Sequence, residues 1–168
     1  MSFVWDTFES KAIEIVNTIS GLTVVWSHQN APRPVSSFVA LQIISMTPQG
    51  NPEEVQDGGD NHRVRIWNTL TLQVKVVGGI SSKASHLIQR ALGQRIYLDE
   101  FASVEAGLAT VSQINNVPVV RGNGWENQSV FDVVFNVPTE ELEEVGYISK
   151  VTGAGNIGSK TVSLNVEE

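Results

Sequence analysis

The sequence predicts an α+β fold: an antiparallel, in part mixed, β-sheet packed against two main α-helices, with a C-terminal β-hairpin extension. Two long segments, residues 63–77 and 125–137, alternate between apolar and polar side chains, which is typical of strands with one buried face. Two others, residues 6–20 and 82–93, repeat apolar side chains three and four positions apart, which indicates helices that pack along one face.

The chain opens with the helix predicted over residues 6–20, for which Asp6 is the expected N-cap and Gly21 the expected stop. A strand is predicted at residues 22–27. Residues 28–34 are predicted to form a loop, because two prolines one residue apart do not fit inside a sheet.

Residues 38–46 are apolar on both alternations, which predicts a central strand covered on both faces. The polar stretch 47–62 is longer than ordinary connections, so it is a functional loop, a disordered segment or a long hairpin tip. In the strand at 63–77, the even positions from 64 to 76 are apolar except Asn68. That pattern predicts one buried face and one solvent-facing face.

Two glycines at 78–79 end this strand, and Ser82 is the expected cap of the second helix, which Gly93 ends. Residues 94–107 are ambiguous, with a short helix as one interpretation. A strand is predicted at 108–114, and turns are predicted at 115–118 and 121–124 before the strand at 125–137.

Four glutamates in residues 138–144 suggest a boundary, which divides the chain into a body (residues 1–144) and a C-terminal arm (residues 145–168). The glutamate run is a solvated segment or an acidic face towards DNA or a basic partner. Residues 161–166 alternate as a strand. We expect this strand to pair with residues 147–152, with the body sheet or with another subunit.

The composition and the motifs argue against nucleic-acid binding, membrane insertion and nucleotide binding. A net charge of −7 and a pI near 4.9 disfavour nucleic-acid binding, although DNA could still slide past an acidic surface. There is no cysteine, and neither a signal peptide nor a run of about 18 apolar residues is found, so we expect a cytosolic protein with no membrane partner.

Residues 153–158 match G-x-G-x-x-G, but a strand pattern follows them where a nucleotide site needs a helix. We interpret them as a glycine-rich hairpin loop.

No set of residues suggests catalysis. The pattern Asp57-Gly-Gly-Asp60 lacks the further oxygen ligands of a calcium loop, and no histidine has a metal-like partner nearby. We therefore predict no enzyme activity, no cofactor and no metal. Trp26, Trp67 and Trp125 are either core residues or interface residues, and Trp67 is the best interface candidate because it lies on the polar face of its strand.

The order of elements resembles the neck or tail terminator proteins of tailed bacteriophages over about residues 5–140. The resemblance is carried by the loop ending Pro32-Arg33-Pro34, the strand at 38–45, the sequence Pro-Gln-Gly-Asn-Pro-Glu-Glu at 48–54, the helix at 82–93 and the strand start Trp125-Glu126. The loop and the Trp-Glu start are its most specific parts.

The resemblance implies a structural virion protein that forms a ring, typically a hexamer, at the phage neck. Such a ring ends the tail tube and joins the tail to the head connector, with DNA passing through it as cargo. The implied partners are other copies of the chain, a tail tube or sheath protein and a head–tail connector or adaptor protein. The implied location is the virion, after assembly in the host cytoplasm.

Alternatives to the terminator remain: another head–tail connector, a tail-tube component, an enzyme of unknown type, or a stand-alone β-rich ligand-binding domain with Trp26 and Trp67 as its platform. A closing ring needs head-to-tail contacts. The interface candidates are Arg33, Pro34, Trp67, Trp125, Val162, Leu164 and Val166. The candidates for a loop that faces the lumen or an axial partner are Glu53, Glu54, Asp57 and Asp60.

Overall fold

The computed structural model describes residues 3–28, 32–56, 62–143, 150–157 and 160–167. It confirms the α+β class, with helices on one face of a mixed sheet and a separate two-stranded sheet at the C-terminus. The elements are α1 Trp5–Ser20, β1 Thr23–Trp26, β2 Phe38–Gln56, β3 His62–Val77, α2 Ser81–Leu92, α3 Arg95–Ala102, β4 Gly107–Val111, β5 Asn115–Asn116, β6 Val119–Arg121, β7 Gly124–Glu126, β8 Gln128–Glu143, β9 Lys150–Ile157 and β10 Lys160–Glu167.

The main sheet has the order β1-β2-β3-β8-β4, with β5 also paired to β8. Only the β1–β2 pair is parallel among the described strands, so the sheet is mixed as predicted. In β3, the even positions 68 to 76 are buried, which confirms the predicted inner face. Strand β6 pairs with β7 and β9 with β10, each as an antiparallel ribbon outside the main sheet.

The core lies between the inner face of the sheet and the helices. Its centre is an aromatic cluster in which the Phe135 ring lies 5.3 Å from that of Phe8 and 4.7 Å from that of Phe101, between ring centroids. Helix α1 buries the apolar face predicted for it. Helix α2 buries Ala84, Ile88 and Ala91, whereas Leu87, which the periodicity also assigned to the buried face, is exposed.

The predicted stops of the first two helices are confirmed, but both predicted N-caps are wrong. Gly21 follows α1 with a φ of +66°, and its N–H donates to Asn17 O at 2.8 Å. Helix α1 begins one residue early, after Val4, so Asp6 lies in the first turn, where a carboxylate still favours the helix dipole. Helix α2 begins at Ser81, because Ser81 N–H bonds to Gly78 O at 3.0 Å, and Ser82 lies inside it.

Two strands extend beyond the ends that the sequence predicted. Strand β2 runs to Gln56 and β8 to Glu143, so part of the polar stretch and most of the glutamate run belong to the sheet. Residues 47–56 therefore belong to a long hairpin, one of the three alternatives for the polar stretch, and residues 57–61 lie outside the described residues. Pro48 and Pro52 fit because β1 pairs only with residues 38–41, which leaves this part of β2 at an edge. Burial of β2 on both faces is likewise limited to residues 38–41.

Other local predictions are corrected. The strand predicted at 125–137 is divided, because residues 124–126 pair with β6 and the main-sheet strand begins only at Gln128. Strand β4 ends at Val111, and two residues of the turn predicted at 115–118 pair with β8. The short helix at 95–102 is confirmed. Residues 153–157 lie in β9, so the glycine-rich segment is mostly strand and not loop.

Candidate functional site

The described helices pack on one face of the main sheet, and at one end of the opposite face lies an open groove of about 320 Å³. Its floor is a small apolar cluster of Phe38, Ala40 and Val77 with Val25 packed against it. Lys75 and Arg121 line the groove as well, and Ser27 contributes an exposed hydroxyl. The cluster forms at this end because Phe38 and Ala40 of β2 and Val77 of β3 are apolar residues at outward positions. This surface is called the groove below.

Residues 32–34 close one side of the groove, and Arg33 holds them there. The Arg33 guanidinium donates to a carboxylate oxygen of Glu126 in β7 and lies 5.2 Å from the centroid of the Phe38 ring. This hydrogen bond from Arg33 holds the pKa of Glu126 below its ordinary value, and Gln128 adds a second donor at 3.1 Å. Arg33, predicted as an interface residue, therefore forms an ion pair within the chain. Pro34, the neighbouring candidate, lines the groove.

The β6–β7 ribbon presents the most exposed aromatic side chain of the described residues. Trp125 is 75% exposed and lies directly across from Val120, which is also exposed. An apolar cross-strand pair in solvent is typical of a surface that another protein covers. The sequence pointed to Trp125 as an interface candidate, but only the pairing with β6 explains why it faces outward.

The far ends of β2, β3 and β8 form an acidic end of the molecule. Residues 53–65 and 140–144 hold eight carboxylates and two arginines in the sequence, a net −6 of the chain's −7. The sheet brings these segments together, because residues 53–56 pair with 62–65, which pair with 140–143. Glu53 and Glu54 are exposed there, whereas Asp57 and Asp60 lie outside the described residues.

Among the described residues of the acidic end, Glu140 forms an ion-pair cluster with Arg63 and Arg65. The Glu140 side chain is only 9% exposed, and its Oε1 accepts from Arg65 Nε at 2.9 Å and Nη2 at 2.5 Å, with Arg63 Nη1 3.8 Å from Oε2. The hydrogen bonds from Arg65 lower the pKa of Glu140 from its ordinary 4.5, against the opposite effect of burial. A solvated segment was one of the two interpretations of the glutamate run, and Glu140 departs from it because Arg65 and Arg63 on the neighbouring strand pair with its carboxylate.

We expect this cluster to make stability sensitive to acid. Because the folded pKa of Glu140 is lowered, its contribution is complete above the unfolded pKa and is lost as the pH falls through the folded pKa. Glu140→Gln should therefore lower the melting temperature near neutral pH and flatten its decline below about pH 5. The matched control is Glu141→Gln, an exposed neighbour that should keep the wild-type acid profile. Identical profiles for the two variants would contradict the assignment.

The remaining candidates are placed as follows. Trp67 is 39% exposed and pairs with Gln49 and Pro138 on the open face, whereas Trp26 is 3% exposed and belongs to the core. Val162, Leu164 and Val166 belong to β10, and their side chains lie outside the described part of the structure. Sequence analysis missed Lys75 and Arg121. The strand alternation could have marked Lys75 as outward-facing, but nothing in the sequence places Arg121 beside it.

Within the described part of the chain, no three acidic or histidine side chains are grouped so that they could hold a metal ion. The helices described are too short or too polar to cross a membrane.

An open sheet face, outward-facing tryptophans and one charged end are typical of a subunit that packs against other proteins. Comparison with known families agrees, since the family of phage neck terminator proteins matches residues 7–160. The chain belongs to this family, and it is a structural protein of the phage neck or tail that associates with other virion proteins. A search of curated proteins found no match.

Proposed function

We propose that the chain forms a closed ring, a hexamer, at the phage neck, where it ends the tail tube and joins the tail to the head connector. The observation that carries the proposal is the family match over residues 7–160, which spans the main sheet, α2, α3 and all of α1 except its first two residues. The proposed partners are a tail tube or sheath protein on one side and a connector or adaptor protein on the other. Assembly takes place in the host cytoplasm.

The distribution of exposed surfaces supports a ring. Each subunit of a cyclic ring needs two different contact surfaces, because its head meets the tail of its neighbour. Trp125 and the groove lie near the start of β8, whereas Trp67 lies near Pro138, about ten residues further along the same strand. Two separate anchors suit head-to-tail contacts better than a single self-complementary patch.

The acidic end suits a surface that DNA passes without sticking. Negative charge repels phosphates, and eight carboxylates against two arginines give a strong local field of that sign. We propose that Glu53 and Glu54, with Asp57 and Asp60 in the same segment, face the lumen or an axial partner. A structure of the assembled ring with residues 53–60 on the outer rim would rule out the lumen role.

The body and the arm have separate roles in this proposal. Residues 1–144 supply the ring wall, and residues 145–168 form an arm that reaches a neighbouring subunit. A stand-alone ligand-binding domain is disfavoured as the alternative, because Trp26, one half of its suggested platform, is in the core.

The proposal predicts the number of copies in each particle. Quantitative mass spectrometry of purified phage, scaled to the major capsid protein, should count about six copies if one cyclic ring is present. The major capsid protein of the same sample is the internal control. A count of about a hundred or more would instead identify a tube or sheath component. Absence from the particle would remove the virion role.

A further inference from the structure

We propose that the groove receives the acidic end of a second copy of the chain, and that Glu141 is the carboxylate that meets its cations. The inference rests on the proposed ring, and it assigns the two surfaces by which neighbouring subunits meet. Glu53 and Glu54 keep the position proposed for them above, because they belong to β2, whereas Glu141 belongs to β8 on the other side of β3. The contact therefore involves the β8 side of the acidic end.

The cations that lack a partner are concentrated at the groove. The cations described without a carboxylate at ion-pair distance are Lys75, Lys83, Arg90 and Arg121. Lys75 and Arg121 line the groove, and Lys83 lines a neighbouring cavity that shares Gln128 with it. Three of these four unpaired charges therefore lie at one end of the main sheet.

The carboxylates near the groove are engaged with other side chains. Glu126 accepts a hydrogen bond from Arg33, and Asp132 accepts one from Gln73 Nε2 at 3.4 Å. The groove thus presents the charges of Lys75 and Arg121 beside an apolar floor. A surface of this kind is complementary to a carboxylate that adjoins an apolar side chain.

The β8 side of the acidic end presents such a carboxylate. Arg65 pairs with Glu140, and Arg63, two residues away, lies on the same face of the sheet. The intervening pair, Val64 with Glu141, faces the opposite side, because side chains alternate along a strand. Glu141 is exposed, and among the described residues no cation lies within ion-pair distance of it. The half-buried Val64 lies directly beside it.

One copy cannot bring its own two ends together. Val77 of β3 lies at the groove and Val64 at the acidic end, thirteen residues or roughly 43 Å apart along one strand. Salt screens charges over about 8 Å at physiological ionic strength, so the two ends do not neutralise each other within a chain. A second copy supplies the missing charge to each end. Repeating that contact is head-to-tail, as a cyclic ring requires.

Carbodiimide crosslinking tests the contact directly, because this reagent joins a lysine amine to a carboxylate only where the two groups meet. A mixture of nitrogen-15-labelled and unlabelled full-length chain is treated, and the crosslinked peptides are identified by mass spectrometry. We expect a Lys75–Glu141 product that joins one labelled and one unlabelled peptide. The Lys11–Glu14 ion pair, at 2.7 Å within one chain, is the internal positive control. The experiment is repeated on purified phage particles, in which the chain is assembled with its partners.

The Lys11–Glu14 product without a Lys75–Glu141 product, in both samples, would overturn the inference. A product that joins Lys75 only to residues 53–54, or only to another virion protein, would overturn it as well. Native mass spectrometry of the labelled mixture tests the ring separately. A closed ring without the Lys75–Glu141 product overturns this contact and leaves the proposed function, whereas the product without a closed ring supports the contact and counts against the ring.

A charge exchange tests the same contact through assembly. Lys75→Glu combined with Arg121→Glu should reduce the assembled fraction severalfold, and so should Glu141→Lys alone. An equal mixture of these two variants should restore assembly, because the reversed groove of one accepts the reversed end of the other and a six-membered ring can alternate them. The matched control is Arg90→Glu, which reverses an exposed, unpaired charge that lines neither cavity and should assemble like the wild type. An equal loss for the control, or no rescue in the mixture, would contradict the pairing.

Discussion

Phe135→Ala is expected to cost about 3–5 kcal/mol of folding free energy, the usual range for removing a phenylalanine from a well-packed core. Phe135 is completely buried at the centre of the aromatic cluster, in contact with Phe8 from α1 and Phe101 from α3. Removing its ring leaves a cavity where both helices meet β8. Urea unfolding followed by circular dichroism measures the loss, and Phe135→Leu, which keeps most of the volume, gives a smaller loss if the alanine variant does not fold.

Trp125→Ala is the matched control for that prediction, since it removes a larger ring from the surface. Trp125 is mostly exposed, so the stability of the isolated chain should change by no more than about 0.5 kcal/mol. A loss for Trp125→Ala as large as that for Phe135→Ala would mean that the ribbon packs on the core and would contradict the description of the exposed pair.

Gly78→Ala is expected to cost as much folding free energy as Phe135→Ala, roughly 3–5 kcal/mol. Gly79→Ala beside it should leave the stability nearly unchanged. Gly78 has a φ of +114°, which side chains rarely tolerate, and a Cβ there would lie 2.8 Å from Ser37 Cβ and 2.9 Å from Ser37 Cα. Backbone strain and overpacking each cost about 1–3 kcal/mol. At Gly79 a Cβ meets nothing within 4 Å, and the φ is ordinary.

The same unfolding measurement on both glycine variants decides this prediction. Gly79→Ala is expected within about 0.5 kcal/mol of the wild type, or slightly more stable, because alanine restricts the unfolded chain. Equal losses at the two positions would show that the close approach of Ser37 to the end of β3 is not what requires glycine there.

The sequence predicted elements well where one local pattern was strong. Strand β3 and helix α1 carry clear periods of two and of 3.6, and both were found within a residue or two of their predicted bounds. The sequence-based prediction failed where the pairing with residues distant in the chain decides which element forms. Residues 47–56 are too polar to suggest a strand, yet residues 47–49 and 53–56 pair with β3. Trp125 continues the pattern of β8, yet it pairs with β6 instead.

The sequence likewise predicted some of the candidate interface residues but not the groove. Trp67 and Trp125 could be chosen from residue type and alternation, because a tryptophan on a polar face has few other roles. The groove could not, since its parts come from separate regions of the chain: Val25 from β1, Arg33 from a loop, Lys75 from β3 and Arg121 from the β6–β7 ribbon.

By itself, the sequence determined the fold class, the absence of cysteine chemistry, the acidic balance and the resemblance to a terminator, because each depends on composition or on a local period. The tertiary structure decided where that charge lies and which faces remain open. Glu53 and Glu54 are about ninety residues from Glu140 and Glu141 in the chain, and only the pairing of β2, β3 and β8 brings these four carboxylates to one end of the sheet. Likewise, two adjacent glycines look equivalent in sequence, and only the structure shows that the positive φ of Gly78 and its close approach to Ser37 require glycine there.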